Sequence, residues 1–264
     1  MTHFYHKLDD GVIKPRHYTP YAKPRYDSGG FELKRPSTIS DLRKWLKNGE
    51  NCAPSVTTVL DVLAKPALVN WQIDRYLMAA YEMDIADDFE YDQWAIKVKI
   101  ETQSRMDKAP QAGTDFHKLM ENYLGSLRFK GVTDKQWEMC QNVSNLILDK
   151  TGISNEHWQP EVNIFSELGY AGQTDLLINE DWILDYKTKE NKEKFKPGKM
   201  AYDNHAQQLA AYRAAIAPKA RCANIFVCLE TGEIDWHEWD EEDLIKGFKV
   251  FNHCLKIYQI NNKL

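Results

Sequence analysis

The chain has 264 residues, 43% of them hydrophobic and 28% charged, which is ordinary for a globular protein with one large domain or two small ones. No apolar run approaches the roughly 20 residues of a membrane span, and the first residues resemble no signal or transit segment, so we expect a cytoplasmic protein without a membrane partner. The five cysteines are widely spaced without a Cys-x-x-Cys pair, which argues against a disulfide framework or a zinc knuckle, and the net charge of −5 does not by itself indicate a nucleic-acid binder.

Residues 1–50 are interpreted as an extended, basic N-terminal arm. They carry ten Lys or Arg against six Asp or Glu, and the proline spacing in residues 1–36 forbids a continuous helix. A short helix is expected at 41–47. Residues 51–152 have helical periodicity instead and are interpreted as a helical lobe or arch. The expected helices of this lobe span residues 56–63, 66–83, 91–108, 114–124 and 133–150, with Pro110 and Gly113 separating the third from the fourth.

Residues 153–264 have the alternating, β-branched pattern of strands, interrupted by two helical stretches. Strands are expected at 159–167, 170–179, 182–187, 223–229 and 233–239, and helices at 199–217 and 241–261. This order predicts an α/β fold in which helices flank a mixed sheet of about five strands. Six lysines against two glutamates fall within residues 187–199, so positive charge is concentrated after the third strand.

The third strand ends in Asp185-Tyr186-Lys187, and Asp175 lies within the strand before it. Asp185 and Lys187 are two residues apart, so on a strand they share one face. If the two strands pair as a hairpin, Asp175 approaches that face, and two carboxylates meet one ammonium group. The sequence therefore predicts a charged cluster at the end of an apolar strand.

Such a cluster has the chemical groups that can catalyse phosphodiester hydrolysis. Burying two carboxylates is costly unless a cation offsets their charge, and Mg²⁺ prefers one or two carboxylates together with water and phosphate oxygens. A lysine beside the metal can act on a water and stabilise charge that develops on phosphorus. An Asp-x-Lys motif alone, however, is more often an ordinary surface pair.

Two helical pairs accompany the motif. His117 and Glu121 are four residues apart on one helix face, and both side chains can bind a metal. Gln208 and Tyr212 are one helical turn apart, where they can contact a phosphate or a neighbouring strand residue. Each pair taken alone is more often a solvated or partly buried polar pair. Glu161, at the start of the first strand, is either a further site residue or structural.

In this order, the elements resemble the PD-(D/E)XK nuclease superfamily, in particular its RecB-like exonuclease branch. That branch has a helical His, then Gly-x-x-Asp, Asp-x-Lys and Gln-x-x-x-Tyr, which are matched here by His117, Gly172 to Asp175, Asp185 to Lys187 and Gln208 to Tyr212. The chain also resembles the mitochondrial genome maintenance exonuclease type and its phage and bacterial relatives. The residues that carry this second resemblance are Pro54-Ser55-Val56-Thr57, Trp71, Gly113-Thr114 and Asp203-Asn204.

The resemblance covers residues 54–260 and implies a restriction-endonuclease-like core with a role for each matched residue. The implied metal ligands are His117, Asp175, Asp185 and the backbone carbonyl of Tyr186. Lys187 would act on the attacking water, and Glu121 would complete the catalytic set. The implied substrate-binding residues are Gln208, Tyr212, Thr114, Ser55 and Thr57. In such relatives single-stranded DNA threads through the helical arch, where Trp71, Tyr76 and Trp94 would stack on bases unless they serve core packing.

The implied function is a metal-dependent DNA exonuclease, using two Mg²⁺ or Mn²⁺ ions on single-stranded DNA or free DNA ends, in repair or recombination. An iron–sulfur cluster, present in some relatives, is not expected because Cys222, Cys228 and Cys254 lack the required spacing. A structure-specific or restriction-type endonuclease and a catalytically silent DNA-binding module remain alternatives. The chain suits a phage or bacterial source, and a phage protein would work in the host cytoplasm.

Overall fold

The computed structural model describes residues 3–83, 90–106, 108–125 and 131–264. Short strands and two helices occupy its N-terminal part: β1 (Phe4–Lys7), β2 (Ile13–Pro15), β3 (Tyr18–Pro20), β4 (Lys34–Pro36), α1 (Ile39–Lys47), β5 (Cys52–Pro54) and α2 (Val56–Leu60). Longer helices follow: α3 (Pro66–Glu82), α4 (Tyr91–Met106), α5 (Lys108–Leu124) and α6 (Asp134–Thr151). The C-terminal part contains β6 (Trp158–Ser166), β7 (Tyr170–Ile178), β8 (Trp182–Lys189), α7 (Asp203–Ile216), β9 (Arg221–Cys228), β10 (Ile234–Trp239) and α8 (Glu241–Asn261).

The C-terminal strands form one mixed sheet in the order β10-β9-β8-β7-β6. Neighbouring strands are antiparallel except for β8 and β9, which run parallel. A parallel pair needs a crossover connection, and α7 supplies it between these two strands. The predicted α/β fold with a mixed five-stranded sheet is therefore confirmed.

Side chains alternate between the two faces of this sheet. Leu177 and Ile183 belong to a buried cluster that includes residues of α7 and α8. Their neighbours Leu176 and Leu184 belong to a second buried cluster, which includes residues of α5 and α6. Helices therefore cover both faces of the sheet, and the strands that carry the predicted site are buried between two helical layers.

The strands β7 and β8 pair over only part of their length. Their register joins Leu176 to Leu184 and continues to Ile178 and Trp182, whereas β8 pairs with β9 from Trp182 to Lys189. At the next position of the β7–β8 register, where Asp175 would face Asp185, backbone pairing ends. The two strands therefore separate where the predicted carboxylates lie.

The helices α7 and α8 approach each other at Gly247. A Cβ atom there would lie 3.0 Å from the backbone carbonyl carbon and oxygen of Ala206, so any other residue would push the two helices apart by a few tenths of an ångström. The contact fixes α7 against α8 close to Gln208, one of the predicted site residues.

Two helices begin four or more residues away from their predicted starts. The helix expected from residue 114 begins at Lys108, because Pro110 falls in the first turn, where its missing N–H costs no intrahelical hydrogen bond. The separation was expected around Pro110 and Gly113, which both lie within α5; residue 107, between α4 and α5, lies outside the described residues. The helix α7 begins at Asp203 rather than 199, so the lysine-rich connection after β8 is longer than expected.

The N-terminal segment, predicted as an extended arm, contains a strand that is buried in the structure. β1 pairs with both β2 and β5, and Phe4 is fully buried beside Leu42 and Trp45. The guanidinium group of Arg16 lies 3.9 Å from the Trp45 ring centroid. Residues 18–36 are largely exposed. The beginning of the segment is thus part of a packed cluster.

No helix in the described ranges has the length and apolarity needed to cross a membrane. The five cysteines are buried and free.

Candidate active site

Asp175 on β7 connects the helix α5 to the strand β8. Its Oδ1 atom lies 3.1 Å from His117 Nδ1, and its Oδ2 atom accepts the backbone N–H of Tyr186 at 2.6 Å. Because β7 and β8 have separated at this point, the carboxylate takes the place of a strand carbonyl as partner for that buried N–H. The side chain is thereby held in the opening between the two strands.

Asp185 is 2% exposed and accepts hydrogen bonds from three side chains. The Nζ atom of Lys187 lies 2.6 Å from Oδ2, which also accepts from Asn224 Nδ2 at 2.7 Å. The Oδ1 atom accepts from Gln208 Nε2 at 3.2 Å. A buried carboxylate needs such partners to offset the loss of hydration.

The Gln208 amide on α7 joins Asp185 to Lys187. Its Oε1 atom accepts from Lys187 Nζ at 3.3 Å, and its Nε2 atom donates to Asp185 and, at 3.0 Å, to the Tyr212 hydroxyl. The Tyr212 ring fits only because Gly172 has no side chain: a Cβ there would lie 2.7 Å from Tyr212 Cε1. The glycine of Gly-x-x-Asp is therefore required by the tyrosine of Gln-x-x-x-Tyr.

The electrostatics of this group favour a charged Lys187. Burial alone would lower the pKa of Lys187, but the negative charges of Asp185 and Asp175 outweigh it and raise that pKa. Burial raises the pKa of Asp185, an effect that the Lys187 ammonium group opposes. The lysine and the aspartate thus stabilise each other's charged form in a setting that disfavours either charge alone.

A second group of side chains lies next to this pair and can hold a metal. His117, Glu161 and Asp175 each offer one ligand atom, and the three atoms lie within 4.8 Å of one another. Glu161 lies on β6, between the residue pairs Pro160 with Leu176 and Val162 with Thr174. Its φ of 54° is a left-handed conformation that non-glycine residues seldom adopt and that often marks functional sites.

The pKa values in this ligand group reflect crowded negative charge. Burial and the neighbouring Asp175 raise the pKa of Glu161 to about 7. Burial would lower the pKa of His117, but the charge of Asp175 and the hydrogen bond to it raise that pKa to about 8. A divalent cation would relieve the repulsion between the carboxylates. Two carboxylates with one imidazole therefore fit a divalent metal such as Mg²⁺ or Mn²⁺.

Another cluster with metal-ligand chemistry lies in the N-terminal segment. His6, Glu50 and Cys52 bring ligand atoms within 4.8 Å of one another. The guanidinium group of Arg16, however, pairs with Glu50 and lies 3.5 Å from the Cys52 sulfur. A cation of the chain already offsets this carboxylate, so the candidate metal centre is the group around Asp175.

Glu121, predicted as a catalytic residue, is not in the ligand group. Its carboxylate pairs with Lys118 of the same helix at 2.6 Å. Glu161, whose role the sequence left open between site and structure, is in that group. The geometry therefore favours Glu161 over Glu121 as the third carboxylate of the site.

The residues predicted to bind substrate occupy different positions. Ser55 caps α2 by accepting the Thr58 N–H at 3.1 Å, and its hydroxyl lies 3.0 Å from that of Thr57. Thr57 and Thr114 are exposed. Gln208 and Tyr212, by contrast, are parts of the hydrogen-bonded chain around Asp185. The capping hydrogen bond thus accounts for Ser55 without any contact to substrate.

The aromatic residues predicted to stack on DNA lie on α3 and α4. Tyr76 is 38% exposed, while Trp71 and Trp94 are partly buried. The guanidinium group of Arg75 lies 5.8 Å from the Trp71 ring centroid. Tyr76 is thus the most accessible of the three rings.

Asn224 on β9 is a site residue that sequence reasoning missed. It is fully buried, donates to Asp185 as described above, and accepts the indole N–H of Trp239 at 2.8 Å. A polar residue in the otherwise apolar run from Cys222 to Cys228 was the available signal. Such a buried amide needs partners, and in the parallel register its partner residue is Asp185.

No family model matches the sequence, and no curated protein matches it significantly. Among solved structures, the chain is similar to a protein from Eubacterium rectale described as a candidate exonuclease, with 16% identity and a TM-score of 0.41 over 59% of this chain and 68% of that one. It is also similar to an alkaline exonuclease from Laribacter hongkongensis, with 11% identity and a TM-score of 0.33 over 57% of this chain and 81% of that one. Both likenesses extend over less than two thirds of this chain.

Proposed function

We propose that the chain is a divalent-metal-dependent deoxyribonuclease of the PD-(D/E)XK type that hydrolyses single-stranded DNA from its ends. The single observation that carries the proposal is the adjacency of two groups. One is the ligand group of His117, Glu161 and Asp175, and the other is the ion pair of Asp185 and Lys187. The backbone N–H of Tyr186, bonded to Asp175, links them.

The metal would be held by His117, Glu161 and Asp175, with Asp185 and the Tyr186 carbonyl as further ligands implied by the resemblance. When bound, the metal polarises the phosphodiester and lowers the pKa of a bound water. The described residues offer one ligand group at this site, so the proposal of a second ion rests on the resemblance alone.

Lys187 provides a hydrogen-bond donor and a positive charge at a fixed position. Its Nζ atom is held by Asp185 and by the amide oxygen of Gln208. From there it can orient an attacking water or bond a phosphate oxygen, and charge that develops on phosphorus is stabilised most by groups that need no rearrangement. Gln208 therefore acts as a positioning residue for Lys187.

The proposal predicts Mg²⁺-dependent degradation of DNA with free ends. A linear single strand labelled at one end and a circular single strand labelled internally would each be incubated with Mg²⁺ or with EDTA. The linear strand should be degraded with Mg²⁺ but not with EDTA. The circle should stay intact in both. The label also reports from which end degradation starts.

Two other outcomes of this experiment would each favour one of the alternative functions. Cleavage of the circle would favour a structure-specific or restriction-type endonuclease with the same site. Binding of DNA without any metal-dependent cleavage would favour a catalytically silent module. A place in repair or recombination, a phage source and a location in the cytoplasm stay predictions of the sequence.

A further inference from the structure

A cavity of about 500 Å³ lies beside the candidate active site. It opens between the segment that joins α2 to α3 and the N-terminal turns of α7. Its volume is within the roughly 300–1,000 Å³ of small-molecule sites. The function proposed above does not use it.

The walls of the cavity differ in polarity. Leu60, Leu63 and Pro66 form an apolar side, whereas Asn204 and Gln207 on α7 contribute amides. The ring of Tyr202, at the start of α7, also lines the cavity and is 57% exposed. A flat ligand with apolar faces and a polar edge matches such a site, and a nucleobase has this chemistry, since its π-face stacks on aromatic side chains.

Gln207 gives the cavity a specific polar group. The residue is 8% exposed, and its Oε1 atom is buried without a hydrogen-bond partner among the described residues. Buried acceptors are nearly always bonded, because an unpaired one keeps its full desolvation cost. The amino or ring N–H group on the edge of a base is a donor of the required kind. Gln207 also lines a small cavity of about 40 Å³, where a water molecule is the competing partner.

Gln208 connects the cavity to the active site. It lines the cavity, and the same amide bonds both Lys187 and Asp185. A group bound in the cavity is therefore one side chain away from the ion pair. Thr57, predicted from the sequence to bind substrate, is exposed and lines the same cavity.

We propose that this cavity takes one unpaired nucleobase of the DNA strand being cut, and that Gln207 bonds the edge of that base. The inference rests on the proposed nuclease function, whose substrate strand it specifies. A base inside a duplex can enter such a cavity only after unpairing and unstacking, which costs free energy. The cavity thus selects single strands and frayed ends, and it positions the strand next to Lys187.

The test measures binding without turnover, in EDTA. Short single strands carry one fluorescent 2-aminopurine, moved base by base along the strand. Two variants change the cavity: Gln207→Leu removes the amide, and Ala64→Phe fills the space from an exposed position in the lining. Ala214→Phe adds the same ring at an exposed position further along α7 and is the matched control.

With the wild-type protein, 2-aminopurine at one position should change its fluorescence on binding, because that base unstacks from the neighbouring bases. Both cavity variants should lose this signal and bind about tenfold more weakly, which is the loss expected for one stacked base. Ala214→Phe should keep both the signal and the affinity. Unchanged signal and affinity in both cavity variants, or no binding by the wild type, would overturn the inference.

The failure of the inference is distinguishable from the failure of the proposed function. A position-specific 2-aminopurine signal without Mg²⁺-dependent cleavage would leave the base site standing and remove the nuclease. Mg²⁺-dependent cleavage by the wild type, with no effect of Gln207→Leu or Ala64→Phe on binding, would support the nuclease and rule out the base site.

Discussion

At the scale of single residues, two glutamates compete for the role of third carboxylate in the metal centre. Glu161 shares the ligand group with His117 and Asp175, whereas Glu121 pairs with Lys118. We expect Glu161→Gln to weaken Mn²⁺ binding at least tenfold, because a neutral amide is a poorer ligand than a carboxylate, and Glu121→Gln to change it less than twofold. Titration calorimetry with Mn²⁺ measures both. A larger loss in Glu121→Gln would restore the assignment implied by the resemblance.

Gln208 is the second residue whose role the structure narrows, from a contact to phosphate or a strand residue to the positioning of Lys187. If it positions Lys187, Gln208→Leu should lower kcat about 10- to 100-fold, as outer-shell substitutions do, with little change in KM. Steady-state cleavage of a short labelled strand gives both constants. Gln141→Leu, at an exposed glutamine of α6, is the control and should match the wild type. A change in KM alone would indicate a contact to DNA instead.

The sequence located Asp185 and Lys187 on one strand face because the strand period of two requires it, and the Lys187–Asp185 contact of 2.6 Å agrees. Glu161 was left open because its place depends on how β6 pairs with β7 and on a left-handed backbone at that residue. Asn224 was missed because it meets Asp185 only through the parallel register of β8 and β9. Contacts set by register between distant segments have no local pattern to predict them.

At the scale of elements, the strand β7 and the helix α7 are fitted to each other at Gly172. Gly172→Ala should lower the free energy of unfolding by about 1–3 kcal/mol, because the new Cβ would overlap the Tyr212 ring. The same substitution in a Tyr212→Leu background should cost less than about 0.5 kcal/mol, because the ring is gone. Urea unfolding of the four proteins gives this double-mutant cycle. Equal costs in both backgrounds would show that the ring is not the cause.

The order of elements in the C-terminal part was predictable because its strands are separated by clear turns and its helices have a 3.6-residue period. The structure of the N-terminal segment was less predictable. Its prolines correctly indicated the lack of a long helix, but the burial of Phe4 depends on α1 and β5, which are about 35 to 50 residues away in the sequence. Deleting residues 1–36 would remove a buried side chain, and so would test folding together with any DNA contact.

At the scale of the whole molecule, His205 links stability to pH. Burial and the charges of Lys187 and Lys189 lower its pKa to about 3, and its Nδ1 atom accepts the Tyr202 N–H. In the unfolded chain the pKa is about 6.5, so the unfolded state binds the proton first. The neutral histidine therefore contributes fully to stability above pH 6.5, and this contribution is lost as pH falls towards 3. The loss reaches about 2 kcal/mol at pH 5.

His205→Gln should reduce this dependence. Glutamine at the third helical position can accept the same backbone N–H without titrating. Urea unfolding at pH 7 and pH 5, in EDTA, should show a smaller fall in unfolding free energy for His205→Gln than for the wild type. An identical fall in both proteins would mean that other groups account for the acid sensitivity.

We propose that the side chains around Asp175, Asp185 and Lys187 catalyse metal-dependent phosphodiester hydrolysis. The most direct test is the single-turnover rate at which Lys187→Met cleaves an end-labelled strand with saturating Mg²⁺, compared with Lys150→Met, which removes an exposed lysine on α6. We predict a loss of at least about 100-fold for Lys187→Met, the scale seen when one preorganised donor is removed, and wild-type cleavage for Lys150→Met. Cleavage by Lys187→Met at the wild-type rate would contradict a catalytic role of Lys187.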